Sequence, residues 1–136
     1  DQLSSGTDPD AGVLRVRLDY ARELHPDERW NVLDGETVSL DLTFGKGPGE
    51  RAVLDHLHLW VKRCLQQGAE PEDALEGFLE REPDCILICG EVGNGIVPMD
   101  PLERAYRERV GRIQIRLAAR ADRVERVFCG IGQRLK

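Results

Sequence analysis

The last third of the chain carries a strand, a glycine-rich loop, a long helix and a second strand, in that order. Residues 85–89 form an apolar run, and the loop that follows, residues 91–98, contains two glycines. A helical pattern then begins at the N-cap residue Asp100, and a second strand-like run spans residues 124–129. In an open α/β sheet, ligands bind at the loops that follow the carboxyl ends of the strands. This unit therefore predicts a ligand site at the loop 91–98.

Strand and helix patterns also alternate through the middle of the chain. Residues 30–33 predict a short strand closed by the turn Asp34-Gly35, and residues 50–67 carry apolar side chains at helical spacing. Another helix is predicted to begin at Pro71, at its first position. Alternation of this kind predicts a three-layer α/β fold, in which a mainly parallel sheet has helices on both faces.

The length and composition of the chain fit one globular domain. We predict a single α/β domain over residues 13–136 and a polar, disordered arm over residues 1–12. The net charge of −6 argues against nucleic acid as a partner, and no apolar run approaches the roughly 20 residues of a membrane span. Three of the four cysteines lie in apolar strand-like runs, which predicts reduced core thiols and a cytoplasmic location.

The loop 91–98 holds the first candidate ligand-binding residues. Gly93 and Gly95 let the backbone approach a ligand or adopt positive φ, and Pro98 stiffens the exit from the loop. Glu91 follows the strand directly, where a carboxylate can hold a magnesium ion or a ligand hydroxyl. The alternative is that the glycines only make a tight turn and that Glu91 faces solvent.

The segment Asp55-His56-Leu57-His58 holds the second candidate site. On the predicted helix His56 and His58 point in different directions, so we expect one ring at the surface and the other packed or facing a ligand. On a strand the two rings would share a face and could bind one metal ion. Asp55 and Glu91 are the candidate magnesium ligands, although a solvated acid is the alternative for Asp55.

Arginines on the long helix and a second glycine-rich loop are candidate anion sites. Arg112 and Arg116 are four residues apart and could clamp a phosphate, while Arg107 pairs with Arg104. The alternative for these arginines is a solvated helix face with ion pairs to Glu103 and Glu108. The loop 45–49 contains a lysine, but it lacks the spacing and the Ser/Thr of a P-loop, so we predict a plain connection there.

Taken together, these residues resemble those of the adenosylcobinamide kinase / adenosylcobinamide-phosphate guanylyltransferase family of cobalamin biosynthesis. The string E-V-G-N-G-I-V-P at residues 91–98 is its most specific part, and the segment from Asp55 to Trp60 resembles the family's D-C-L-T-L-W, with His58 where threonine is usual. Further similar positions are Arg107, Gly111, Arg112, Leu117, Ala118, Ala121, Asp122, Val124 and the glycine-bounded segment 130–132.

The resemblance implies a P-loop NTPase or RecA-like fold and a two-step enzyme. Such an enzyme phosphorylates the aminopropanol hydroxyl of adenosylcobinamide with ATP or GTP and Mg²⁺, and then transfers GMP to that phosphate through a guanylylated histidine. By this resemblance Asp55 matches the acidic residue near magnesium and the nucleotide, and we take Asp55 and His58 as the candidate catalytic residues. Nucleotide and corrinoid substrates are the implied partners, and a homo-oligomer is expected. The implied nucleotide- or substrate-binding residues are Glu91, Gly93, Gly95, Pro98, Arg107 and Arg112.

Besides His58, the sequence departs from the family pattern at Gln114-Ile115, where Asn-Gln is common, and more seriously at two other places. Residues 11–17, which precede Leu18, are not a glycine-rich loop with a lysine, and no histidine lies between Trp30 and Asp55. Three explanations follow: an altered N-terminus, a shortened branch of the family that uses His56 or His58 differently, or a homologue that binds a nucleotide or corrinoid without catalysis.

Overall fold

The described part of the chain holds a parallel sheet, three helices and a hairpin. The structure is a computed structural model, and it describes residues 27, 29–43, 45–90 and 99–136. The predicted arm 1–12 and the loop 91–98 lie outside the described residues. The elements in chain order are β1 (Arg29–Asp34), β2 (Glu50–Asp55), α1 (Leu57–Gln66), α2 (Pro71–Arg81), β3 (Ile86–Leu87), α3 (Pro101–Arg120), β4 (Glu125–Phe128) and β5 (Ile131–Arg134).

The sheet has the parallel topology that alternating strands and helices predict. Its strand order is β1-β2-β3, and both pairs of neighbours are parallel. Leu54 in the middle strand β2 is aligned with Leu33 on one side and Leu87 on the other. Parallel neighbours need a long crossover connection, and α1 and α2 supply the one between β2 and β3. The prediction of an α/β fold with a mainly parallel sheet is confirmed.

The predicted helix over residues 50–67 is wrong for residues 50–56. Glu50–Asp55 is the strand β2, and the helix α1 begins only at Leu57. The reason is that Ala52, Val53 and Leu54 are all buried, so β2 shows a continuous apolar run instead of alternation. A short run of this kind is not distinguished from a buried helix by periodicity alone.

Alternate residues of β2 face two different apolar clusters. Leu54 belongs to the larger cluster, to which all three helices contribute, with Trp60, Phe78 and Val110 among its buried members. Val53 faces the opposite side and packs in a smaller cluster with Ile88, Trp30 and Ile86. The described helices thus cover the Leu54 face, and a helical layer on the Val53 face stays a prediction.

The starts of α2 and α3 follow the rules for helix N-termini. Pro71 occupies the first turn of α2, and Glu72 and Asp73 place negative charge beside the positive end of its dipole. The carboxylate of Asp100 accepts the backbone N–H of Leu102 at 3.0 Å, which caps α3. Among the described residues, no helix is long and apolar enough to cross a membrane.

The second predicted strand is one arm of a hairpin. The run 124–129 contains β4, which pairs antiparallel with β5, so this part of the chain departs from the parallel pattern. Cys129 and Gly130 form the two-residue turn with φ of 53° and 75°. Two successive residues with positive φ are typical of a type I′ hairpin turn. The dipeptide Cys-Gly is an uncommon choice for that turn, so the sequence gives little indication of the hairpin.

The four cysteines differ sharply in their expected reactivity. All four are free, and burial raises the pKa of the Cys64 and Cys85 thiols to about 11 and that of Cys89 to about 12. Cys129 is exposed at the hairpin turn, so the prediction of a core thiol is wrong for this cysteine. Because the thiolate is the nucleophile, we expect a thiol reagent at pH 8 to modify one cysteine rapidly in the folded protein. A Cys129→Ser variant should lose this rapid phase in an absorbance assay, and rapid modification of two or more thiols in wild type would contradict the burial described.

Candidate functional site

Three strand ends meet at one edge of the sheet. Asp34 and Asp55 are the last residues of β1 and β2, and the register places them side by side. Gly90 lies just beyond β3 at the same edge. This is where ligands bind in open α/β sheets, and it is also the point from which the loop 91–98 continues the chain.

Gly35 joins the ends of β1 and β2 through a close backbone contact. Its N–H donates to the carbonyl oxygen of Asp55 at 2.7 Å. A Cβ atom at this position would lie 2.2 Å from the carbonyl oxygen of His56 and 2.9 Å from that of Asp55. Both neighbours are backbone atoms, so any larger residue would force the two strand ends apart.

His56 adopts a left-handed conformation between β2 and α1. Its φ and ψ are 53° and 46°, and its carbonyl oxygen accepts the N–H of Trp60 at 3.2 Å to start the helix. The Asp55 carboxylate accepts the backbone N–H of His56 at 2.7 Å, which stabilises this turn. A non-glycine residue in this region costs about 1–2 kcal/mol per residue, and such strain is often found at functional sites.

The ring of His56 lies between two carboxylates. Its Nδ1 is 3.2 Å from Oδ1 of Asp34 and 3.6 Å from Oδ2 of Asp55. A carboxylate only accepts hydrogen bonds, so Nδ1 carries the proton and donates to Asp34. In the neutral ring the lone pair is then on Nε2, which has no hydrogen bond to any residue of the described ranges. The side chain as a whole is 30% exposed.

In His58 the roles of the two ring nitrogens are reversed relative to His56, and the ring is buried. It is only 4% exposed, and its Nδ1 accepts the backbone N–H of Gly90 at 2.9 Å. The proton of the neutral ring is therefore on Nε2, and the lone pair of Nδ1 is occupied while this hydrogen bond holds. The rings of His56 and His58 are 6.0 Å apart between centroids, in an edge-to-face arrangement. His58 is therefore the packed ring that was expected, whereas His56 is half-buried and precedes the helix instead of lying on its surface.

Gln114 of α3 reaches the same strand end from the other side. Its Nε2 donates to the carbonyl oxygen of Gly90 at 3.2 Å and lies 3.2 Å from Sγ of Cys89. Cys89 is buried, which agrees with the prediction of a core thiol. The strand end of β3 is thus held by side chains from two helices.

The arginines predicted to bind anions differ in their distance from this edge. Arg112 is 3.5 Å from Glu108 on its own helix and lies two residues before Gln114, which places it on a different side of α3. Arg107 precedes Gln114 by seven residues, on the same side of the helix and about 10 Å away along its axis. Its Nε lies 3.6 Å from Oε2 of Glu103. Binding roles for both arginines stay predictions.

The glycine-rich loop 45–49 lies away from the site. Its lysine, Lys46, donates to the backbone carbonyl of Glu50 at 2.7 Å and is 3.1 Å from Oε1 of Glu82. Glu50 is the first residue of β2, so this loop is at the opposite end of the strand from Asp55. The interpretation of the loop as a plain connection agrees with these contacts.

The candidate magnesium ligands are only partly described. Asp55 lies at the strand end, whereas Glu91 is outside the described residues, as are Gly93, Gly95 and Pro98. Within the described ranges, no group of three or more acidic, histidine or cysteine side chains could hold a metal ion. One carboxylate is nevertheless sufficient for a magnesium ion that arrives on a nucleotide, because phosphates and water supply its remaining ligands.

Two residues of this site are missing from the sequence-based predictions. Asp34 is predicted only as part of a turn, although an acidic residue at the end of a predicted parallel strand is itself a signal for a site. Gln114 carries no local signal for a ligand site. The pairing of Asp34 with His56 depends on strand register, which the sequence does not reveal.

Comparisons with known proteins agree with the resemblance. Residues 14–135 match the family model described as cobinamide kinase / cobinamide phosphate guanyltransferase. The bifunctional adenosylcobalamin biosynthesis protein CobU of Salmonella typhimurium is 36% identical over 87 residues, which span 64% of this chain and 40% of that protein. CobU of Escherichia coli is 29% identical over 90% of this chain and 78% of its own length. The corresponding protein CobP of Pseudomonas aeruginosa is 31% identical over 92% of this chain and 76% of its own length.

Proposed function

Because the chain belongs to the cobinamide kinase / cobinamide phosphate guanyltransferase family, we propose that it phosphorylates adenosylcobinamide and transfers GMP to the product, with GTP or ATP and Mg²⁺. One observation carries the proposal. The ends of two parallel strands bring Asp34, Asp55 and His56 together, and Nε2 of His56 is left without a hydrogen bond among the described residues.

This arrangement supports His56 as the nucleophile of the GMP transfer. In that step a bond forms between Nε2 and the α-phosphorus of GTP, while the bond from that phosphorus to the pyrophosphate oxygen breaks and pyrophosphate leaves. The Nδ1 proton stays between the ring and Asp34, so the positive charge that develops on the ring is stabilised by the two carboxylates. The phosphate of adenosylcobinamide phosphate then attacks the same phosphorus and releases His56.

His58 differs from His56 in the hydrogen bonding of its ring nitrogens. Its Nδ1 lone pair is engaged by Gly90, whereas Nε2 of His56 faces no such competition among the described residues. The catalytic role predicted for His58 is untested by these contacts and stays a prediction. Homo-oligomer formation and a cytoplasmic location also stay predictions.

A non-catalytic homologue that binds a nucleotide or corrinoid is the second candidate function. It is favoured by the sequence of residues 11–17, which lacks the glycines and lysine of a P-loop. Calorimetric titration of the purified chain with magnesium-GTP, with magnesium-ATP and with adenosylcobinamide, followed by an assay of GMP transfer, separates the two candidates. Binding together with transfer supports the enzyme, and binding without transfer supports the homologue. Absence of binding by a folded protein contradicts both.

Asp55 is expected to contribute to nucleotide binding through the magnesium ion. Asp55→Asn keeps the size of the side chain and an oxygen that accepts the His56 N–H, but it removes the negative charge. We expect the dissociation constant for magnesium-GTP to rise by about tenfold or more, which corresponds to about 1.4 kcal/mol.

Asp84→Asn is the matched control for this measurement. Asp84 is exposed and precedes β3, at the opposite end of the strand from Gly90, so its variant should bind like wild type. Equal binding by Asp55→Asn and wild type would exclude Asp55 from the magnesium-nucleotide site.

A further inference from the structure

Both polar groups of the Gly90 backbone are held by side chains at the end of β3. Its N–H donates to Nδ1 of His58 on α1 at 2.9 Å, and its carbonyl oxygen accepts Nε2 of Gln114 on α3 at 3.2 Å. Gly90 and His58 are buried, so an unpaired group here would cost about 1–3 kcal/mol. We call this arrangement of His58, Gly90 and Gln114 the Gly90 clamp.

The ring of His58 also occupies the space beside Gly90. A Cβ atom at Gly90 would lie 2.8 Å from Cε1 of His58 and 3.1 Å from its Nδ1. The absence of a side chain at Gly90 is therefore what lets the ring approach the backbone closely enough to accept the N–H. The two residues fit each other as a pair, and a smaller side chain at position 58 would leave a gap.

The Gly90 clamp connects the end of β3 to the first turn of α1, which begins beside His56. The N–H of Leu57 donates to the carbonyl oxygen of Ile88 at 3.0 Å, so the helix start is already tied to this strand. The His58 ring packs on one side against Gly90 and on the other approaches the His56 ring. A displacement of Gly90 would therefore be transmitted to the position of the His56 ring.

We propose that His58 and Gln114 are positioning residues, which hold Gly90 between α1 and α3 and thereby fix the His56 ring at the strand-end site. The Gly90 clamp itself is inferred from the described contacts. Its effect on GMP transfer rests on the proposed function. It assigns to His58 a role as hydrogen-bond acceptor rather than as nucleophile.

Two substitutions of His58 distinguish its role as acceptor of the Gly90 N–H from the other properties of the imidazole ring. In His58→Asn the amide oxygen is the same number of bonds from Cβ as Nδ1, so it can accept the Gly90 N–H. His58→Leu fills the buried space but has no acceptor. We expect His58→Leu to lower kcat for GMP transfer by about 10- to 100-fold with little change in the KM for GTP, and His58→Asn to restore most of the loss.

Hydrogen exchange at the Gly90 amide provides a readout that does not need activity. Protection in wild type and His58→Asn, and its loss in His58→Leu, would support the clamp even if GMP transfer were absent, in which case only the proposed function would fail. Cys64→Ala, a buried change on the same helix, controls for destabilisation and should leave kcat unchanged.

Three results would overturn the inference. One is a folded His58→Leu with the kcat of wild type, because positioning would then be unnecessary. Another is a His58→Asn variant as inactive as His58→Leu while its Gly90 amide stays protected, since that would indicate a chemical role for the imidazole. The third is equal exchange at Gly90 in wild type and His58→Leu, which would show that the clamp does not form.

Discussion

Replacing Gly35 by alanine is expected to lower the free energy of unfolding by about 3 kcal/mol or more and to disrupt the strand-end site. The added Cβ would lie 2.2 Å from the carbonyl oxygen of His56 and 2.9 Å from that of Asp55. Overpacking against side chains costs typically about 1–3 kcal/mol, and here the neighbours are backbone atoms that move only with β2 and the start of α1. The hydrogen bond from Gly35 to Asp55 would be strained by the same displacement.

Urea unfolding of this variant is best compared with that of Gly111→Ala. Gly111 lies inside α3, and a Cβ atom added there would meet no atom within 4 Å beyond its own helix backbone and chain neighbours. Alanine at this position should therefore raise the free energy of unfolding by about 0.5–1 kcal/mol. The two substitutions make the same chemical change and are expected to have opposite signs. A Gly35→Ala variant as stable as wild type would mean that the two strand ends are not packed as described.

Replacing His56 by glutamine is expected to reduce GMP transfer by about 1,000-fold or more while magnesium-GTP still binds. Removal of a nucleophile commonly costs at least this much, because the remaining groups bind substrate but form no covalent bond to it. Glutamine preserves a polar side chain that can donate to Asp34, so the loss would come from the missing Nε2 lone pair.

The variant His25→Gln is the control, because it makes the same substitution at another histidine of the chain. The chain has three histidines, and His25 is the one outside the segment 55–58. We expect His25→Gln to transfer GMP at the rate of wild type. Normal transfer by His56→Gln, or its loss in His25→Gln, would remove His56 from the proposed step.

The sequence is sufficient to predict the helices and strands whose boundaries carry local signals. Pro71 and Asp100 mark the starts of α2 and α3, and both starts are confirmed. The sequence also predicts the strand β1 and its closing turn, but it does not reveal why Gly35 is a glycine. The φ angle of Gly35 is not positive, so turn geometry does not require a glycine there. Glycine is required because two backbone segments lie too close together to admit a side chain.

The features that the sequence predicts wrongly or misses have a common physical origin. They depend on contacts between distant parts of the chain. Burial on both faces of β2 hides the alternation that identifies a strand, so the pattern over residues 50–55 wrongly indicates a helix. The break at His56 depends on a left-handed residue stabilised by Asp55, for which no composition signal exists. The candidate site follows from this break, because it turns the His56 ring toward Asp34 on the neighbouring strand.

Labelling with GTP that carries radioactive phosphorus at the α position tests whether His56 forms a covalent bond to GMP. After denaturation, trypsin would release one peptide from Ala52 to Lys62 that contains His56 and His58, and another from Glu23 to Arg29 that contains His25. We predict an acid-labile, alkali-stable label on the first peptide in wild type, retained in His58→Asn and absent in His56→Gln. Label on the second peptide, or a folded chain that binds magnesium-GTP and transfers GMP without any covalent label, would contradict this account of the strand-end site.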